Sequence, residues 1–321
     1  MANNELFYNR DENISGVTVH DEYSDLNVAA SYGSSVTFKS DFNHYETDDF
    51  YINVNPNSMN SLVATFDLKY QLNHSDAQEI AAFFESKGGH GLFGFAPDSS
   101  GIYQLTSGVC DQYSISHVNN QHFDVDAEIT VDQSPNLFNW SGMNFLNHDF
   151  LTWTDLAYDY KKYDVVYFEA NQNKLDNFYY CTGDHTSAGA ALDGPTGASS
   201  YWTQDFFYEP DIGFSNTVDF KNSSIDFRNS FDFRLKTKEN NASFPVTYNF
   251  ENISTAETKS ILHFLENKGG YRRFKAQIPT IYNRPKVFLA TEWNHTWKYV
   301  NAHDLTITLM EDVLGVIPTG I

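Results

Sequence analysis

The chain repeats itself, and this constrains its fold more than any other feature, because two similar segments must be able to adopt the same structure. Asp76-Ala77-Gln78-Glu79-Ile80-Ala81-Ala82-Phe83-Phe84-Glu85-Ser86-Lys87-Gly88-Gly89 has a counterpart in Glu257-Thr258-Lys259-Ser260-Ile261-Leu262-His263-Phe264-Leu265-Glu266-Asn267-Lys268-Gly269-Gly270, at a constant offset of 268 − 87 = 181. Ile80, Phe83 and Phe84, like Ile261, Phe264 and Leu265, fall at i, i+3 and i+4, the apolar stripe of a helix lying on a core. The spacing predicts helices over 76–87 and 256–268. Asn73 or Ser75 supplies the first N-cap, and Ser254 or Thr255 the second. A terminal Lys and a left-handed Gly88 or Gly269 stop each helix.

Period-two segments precede and follow both helices. Leu62, Ala64, Phe66 and Leu68 alternate in the first half, as do Phe244, Val246, Tyr248 and Phe250 in the second. Phe123, Val125, Ala127 and Ile129 correspond to His303, Leu305, Ile307 and Leu309. Such alternation reads as half-buried strands. Farther upstream, Val36-Thr37-Phe38-Lys39 matches Val218-Asp219-Phe220-Lys221 at 218 − 36 = 182, the slip that a loop insertion produces. The expected fold class is mainly β: two tandem β-sandwich or barrel domains, each flanked by one helix, over 1–150 and 212–321. A small β-rich aromatic insert occupies 151–211, with Trp153, Trp202, many tyrosines and a turn-rich stretch from Gly183 to Ser200.

With 42 acidic and 20 basic residues the formal charge is −22, which opposes binding of a polyanion, so nucleic-acid recognition is not expected. Aromatic residues make up 16% of the chain, far too many for a disordered acidic segment. Cys110 and Cys181 have no metal-type spacing and suggest no disulfide framework. The start, Met1-Ala2-Asn3-Asn4-Glu5, lacks a basic then apolar leader pattern, and no apolar run approaches the ~18 residues of a membrane span. Cytoplasmic synthesis without a membrane anchor is the expectation. Asn-x-Ser/Thr sequons such as Asn13-Ile14-Ser15 are then chance features of an Asn- and Ser-rich chain.

The order of strands, helix, Lys268-Gly269-Gly270, Phe274, Pro279, Trp293 and the strand Leu305 to Met310 resembles the minor tail and distal tail proteins of long non-contractile-tailed bacteriophages. The first half follows the same order with Tyr113 in place of Trp293. The resemblance implies a tail-tube-like β-domain, a structural role in the virion tail tip, and assembly into a ring around the tail channel. Two copies per chain would let three chains form a pseudo-sixfold ring; six chains, each giving one copy, are the alternative. The implied neighbours are the tail tube protein and the baseplate hub or other tail-tip proteins. DNA would pass through the lumen without specific binding, and an acidic wall would favour sliding.

Within the insert, Tyr160-Lys161-Lys162-Tyr163-Asp164-Val165-Val166-Tyr167, Phe178-Tyr179-Tyr180-Cys181, Pro195 and Tyr201-Trp202 resemble the small chitin-binding-type carbohydrate modules of chitinases. Tyr163 stands where such modules carry Gly, so the turn there is expected to differ. The resemblance implies sugar binding by aromatic faces, with Trp153, Tyr179, Tyr180, Tyr201 and Trp202 as candidates and host cell-surface polysaccharide as the ligand class. In a module of ~60 residues several aromatics must fill the core, and Trp202 and Tyr180 are the first choices for that.

No nucleophile elbow, zinc-protease motif, phosphate loop or EF-hand loop occurs. Asp48-Asp49 and Asp124/Asp126 are carboxylate pairs of the kind glycosidases use, yet 42 acids generate such pairs by chance. His117 and His122 read as solvated loop residues rather than metal ligands. The expectation is therefore no catalytic residues, no metal and no cofactor. The competing class is a free lectin-like carbohydrate-binding protein, and a polysaccharide-degrading enzyme comes third.

Overall fold

The computed structural model describes residues 7–14, 17–26, 28, 30–40, 42–46, 52–56, 62–95, 97, 101–103, 106–119, 121–131, 150–155, 157–171, 174–197, 200–211, 219–220, 223–227, 231–235, 242–243, 245–277 and 285–312. The chain is mainly β. Its central feature is one sheet built from β1 (Phe7–Ile14), β2 (Val17–Leu26), β3 (Ser35–Ser40), β4 (Leu62–Leu72), β5 (Phe93–Phe95), β6 (Thr106–Asn119), β7 (His122–Val131), β8 (Val246–Ile253), β9 (Phe274–Gln277), β10 (Pro285–Tyr299) and β11 (Ala302–Glu311). The strand order is β1-β2-β5-β6-β7-β4-β3-β10-β11-β8, with β9 also paired to β10. The sheet therefore runs unbroken from the first half of the chain into the second, through the antiparallel pair β3 and β10.

The two halves use the same parts in the same order. Helix α1 (His74–Lys87) follows β4, and helix α2 (Thr255–Lys268) follows β8. The N-cap is Asn73 in one and Ser254 in the other, each accepting from the backbone N–H three residues on, and Gly88 and Gly269 take φ of 57° and 59°. These dihedrals suit glycine because a Cβ would crowd the following carbonyl. The long hairpins even share their irregularities. β6 slips register on β7 between Cys110 and Gln112 and again between His117 and Asn119; β10 slips on β11 between Ala290 and Glu292 and between Trp297 and Tyr299. An offset of 293 − 113 = 180 relates them, so Trp293 opposite Ile307 corresponds to Tyr113 opposite Ala127.

One face of the sheet is apolar across both halves. Phe66, Val36, His295, Leu305 and Phe250 lie in one cross-strand row, all buried. The helices lie over this face: Phe84 of α1 packs on Phe93 and Tyr113, and Phe264 of α2 packs edge-on to Phe274. A single apolar cluster runs from Leu26 to Leu309. The opposite row, Thr65, Thr37, Asn294, Thr306 and Asn249, is polar throughout.

Between the halves, residues 151–203 form a four-stranded sheet (151–152, 165–167, 178–181 and 202–203) and a two-stranded one (159–160 and 185–186). A second, smaller cluster of Tyr160, Val166, Tyr179, Cys181 and Trp202 holds this insert together. It sits on the outer side of α2. Tyr180 Oη and His263 Nδ1 are 3.1 Å apart, Tyr208 Oη and Ser260 Oγ 2.6 Å, and the Arg272 guanidinium pairs with Asp176. This explains a difference between the helices: α1 buries Ala77, Ile80, Phe83 and Phe84 only, whereas α2 buries every residue from Ser260 to Asn267.

Candidate functional site

The polar sheet face is rich in carboxylates. Asp67 lies opposite Glu128, and Asp124 and Asp126 lie opposite Gln71 and Lys69. Partial burial raises the Asp67 carboxyl above the ordinary range, and the neighbouring Glu128 charge adds to the shift. The face also carries Glu292 near Lys39, at 4.0 Å, and Asp304 paired with Lys298 at 2.6 Å. A groove of 380 Å³ crosses it between Asp67, Lys69, Gln112, Ser114, Asp126 and Glu128. The pair Asp124/Asp126 thus belongs to a broad acidic surface.

Where the halves meet, the core row is reinforced by a buried polar chain. Phe38 of β3 stacks on Trp293 with centroids 5.5 Å apart, and Asn294 Nδ2 donates to Thr37 Oγ1 at 2.9 Å. Tyr103 Oη and His295 Nδ1 are 2.8 Å apart, His295 Nε2 and His303 Nδ1 3.1 Å, and His303 Nε2 and Thr255 Oγ1 3.0 Å. The chain therefore extends from the first half to the start of α2. Burial pushes the His295 imidazole well below its ordinary range, and the second imidazole, His303, pushes it further, so His295 is neutral. Sequence reading gave His295 no role. The available signal was its position: it alternates with Trp293 and Trp297 on the apolar face of β10, where an unpaired polar ring would be costly.

In the insert, the structure separates the five candidate aromatics. Tyr180 is 1% exposed and lies against His263 and Phe264 of α2; it belongs to the contact with the second half. Trp202 is buried and donates its indole N–H to the Asp193 carbonyl at 2.8 Å. Tyr179 is buried in the same small cluster. These three offer no free ring face. Trp153 is partly buried, edge-on to Phe168, and its indole N–H has no hydrogen-bond partner among the described residues. Tyr201 is 40% exposed and stacks flat on His185, centroids 4.3 Å apart and planes within 8°. Of the five candidates, Tyr201 alone has an exposed side chain. The turn at Tyr163 takes φ of 77°, the region glycine favours. The Tyr163 ring stacks on Phe207 and Tyr208 and lies under the Lys162 ammonium, contacts that hold this turn with a bulky side chain.

Cys110 and Cys181 are buried free thiols, both pushed up to about 11 chiefly by burial. His117 stacks on Phe123. Among the described residues no group of three or more His, Cys, Asp or Glu is placed to hold a metal. Asp48-Asp49 lies outside the described residues, and among those described no helix is long and apolar enough to cross a membrane.

No protein-family model matches the chain, and no curated protein does. Among solved structures, the chain is similar to the 43 kDa tail protein of prophage MuSo2 from Shewanella oneidensis, at 9% identity and a TM-score of 0.31 over 95% of this chain and 98% of that one. It is also similar to a tail protein from Neisseria meningitidis MC58, at 8% identity and a TM-score of 0.27 over 94% and 95%. At these TM-scores the likeness does not establish a shared fold.

Proposed function

We propose that the chain is a structural protein of a bacteriophage tail tip, a distal or minor tail ring subunit that links the tail tube to the receptor-binding hub. The observation that carries this reading is the edge-to-edge joining of two similar halves into one sheet with a helix-covered apolar face and an open, carboxylate-rich polar face. Turned toward a channel, that polar face would repel phosphate and let DNA pass unbound. Three chains in a pseudo-sixfold ring, or six chains, supply the assembly. The insert, on the far side of α2 from the polar face, faces outward and adheres to host surface polysaccharide through Tyr201, aided by Trp153. Several weak sites on one ring raise the apparent affinity well above that of one.

Negative-stain images of the purified protein, and of virions labelled by antibody to it, test the reading. Threefold or sixfold rings located at the tail tip are expected. A monomer at every concentration, absent from particles, would overturn it.

A further inference from the structure

Strand β6 is open along its outer edge where its counterpart β10 is filled. β5 pairs with β6 at residues 106–108, as β9 pairs with β10 at residues 285–288. Beyond the shared bulge β3 pairs with β10 from Glu292 to Thr296, whereas the equivalent part of β6 pairs with β7 on one side and, among the described residues, with no strand on the other. This stretch, Gln112-Tyr113-Ser114-Ile115-Ser116-His117-Val118-Asn119, contains no Lys, Arg, Asp, Glu or Pro, the residues by which edge strands commonly discourage pairing. Ile115 lies opposite the buried Val125 on the apolar face and is 42% exposed; the corresponding His295 of β10, paired with Val36 of β3, is 0% exposed. In β10 the N–H of Trp297 donates to the Ser34 carbonyl across the junction, and alternate residues of a strand share a direction, so the N–H groups of Trp293 and His295 point the same way. Their counterparts, Tyr113 and Ile115, point theirs outward from β6.

The polar side of this edge differs from its filled counterpart in charge. Gln112 and Ser114 face Glu128 and Asp126 on β7, where the equivalent Glu292 and Asn294 face Thr308 and Thr306 on β11. The 380 Å³ groove on this face is lined by Gln112 and Ser114 together with Asp67, Asp126 and Glu128, and Lys69 is the cation among them. A strand seated on the edge of β6 lies two strand spacings from β7, roughly 10 Å, a gap that an extended Lys or Arg side chain crosses above the small Ser114. In β3, the strand that fills β10, a cation holds a comparable place: Lys39 is 4.0 Å from Glu292, the residue it pairs with.

We propose that the open edge of β6 receives an extended segment of a different protein, one in which apolar and basic residues alternate. The segment adds to the sheet as a strand along Gln112 to Ser116. Its apolar side chains cover Ile115 and Tyr113, and its basic side chains reach over Ser114 and Gln112 to Asp126 and Glu128. Main-chain bonds supply the affinity, and the carboxylates select the partner. A second copy of this chain suits the role poorly, because a net charge of −22 sets like charge against like at this face. The assignment needs only the edge and its charges, and goes beyond the tail reading without resting on it.

The probe is the synthetic peptide Lys-Val-Lys-Val-Lys-Val-Lys, capped at both ends, labelled with a fluorophore and titrated with the full chain. Binding is expected as a rise in anisotropy, with hydrogen exchange slowed at residues 112–118. Lys-Val-Lys-Pro-Lys-Val-Lys keeps most of the character of the probe but cannot extend a ladder, and Glu-Val-Glu-Val-Glu-Val-Glu can extend it with the wrong charge; both should bind more weakly. Ile115→Pro removes an outward N–H, leaves the ladder with β7 in place and should weaken binding about tenfold. Asp126→Asn combined with Glu128→Gln, on the polar face, preserves the edge and should weaken binding about threefold to tenfold while flattening its salt dependence. Circular dichroism checks the fold of each variant, and the carboxylate variant carries the test if the proline chain does not fold. No binding of the probe, equal binding of the alternating and proline-containing peptides, or equal binding by the parent and the folded variants overturns the proposal. Protection of 112–118 that grows with protein concentration in the absence of peptide gives the edge to a second copy and overturns it as well.

Discussion

Tyr103 Oη lies 2.8 Å from His295 Nδ1, both groups buried, and this bond fastens a segment of the first half to the strand through which the second half joins it. Replacing Tyr103 by Phe keeps the ring contacts with Phe38 and Trp297 but deprives His295 Nδ1 of its tyrosine partner. The expected cost is about 1–3 kcal/mol, the usual penalty for stranding a buried polar atom. Urea denaturation of the variant beside the parent measures it.

The same histidine sets a pH dependence. Its imidazole is held well below the ordinary value of 6.5, so the unfolded chain binds a proton that the folded chain excludes. The His295 contribution is therefore complete above about pH 6.5 and is lost progressively as the pH falls below it. Stability measured from pH 8 to pH 5 should decline, and His295→Leu should flatten that decline. An unchanged slope would mean that other groups carry it.

Phe206 connects the insert to the second half, packing on Phe264 and Phe274 while its N–H donates to the Lys275 carbonyl. Phe206→Ala should cost about 3–5 kcal/mol through the cavity it leaves. Limited proteolysis should then cut within 151–211 sooner than in the parent.

The platform assignment predicts a split between adjacent residues. Tyr201→Ala should leave the melting temperature nearly unchanged and reduce retention on polysaccharide columns. Trp202→Ala should destabilise the insert, by about 3–5 kcal/mol for a large aromatic. Equal retention of parent and Tyr201→Ala would remove the glycan role while leaving the assembly role untouched.

The caps give the most direct energetic comparison of the halves. Asn73→Ala and Ser254→Ala should each cost about 1 kcal/mol, and the two losses should add because the sites share no partner. Chemical denaturation of both single variants and the double variant checks this.

Much of the fold was legible because its signals are local. The helices extend one or two residues beyond 76–87 and 256–268, and the alternation at Leu62 to Leu68 appears as the in-and-out burial of β4. The pairing of β3 with β10 was not legible: the partners lie more than two hundred residues apart, and period two states that a strand has faces without stating which edge it meets. The same limit applied to the insert. Tyr180 and Tyr201 are both aromatic residues on short strands or their flanks, and what separates them is α2, a distant element that covers one and leaves the other in solvent. His295 was overlooked for a related reason, since its partners Tyr103 and His303 come from separate segments.

The position of α2, buried between the sheet and the insert, insulates the two surfaces from each other. A carboxylate on the polar face and the ring of Tyr201 are separated by the sheet and a helix, roughly 20 Å at ordinary layer spacings of about 10 Å. That exceeds the Debye length of about 8 Å at physiological salt. Ionic strength can therefore alter the carboxylate-rich sheet face without altering the surroundings of Tyr201, and a change at the surface of the insert leaves the charge pattern behind α2 undisturbed.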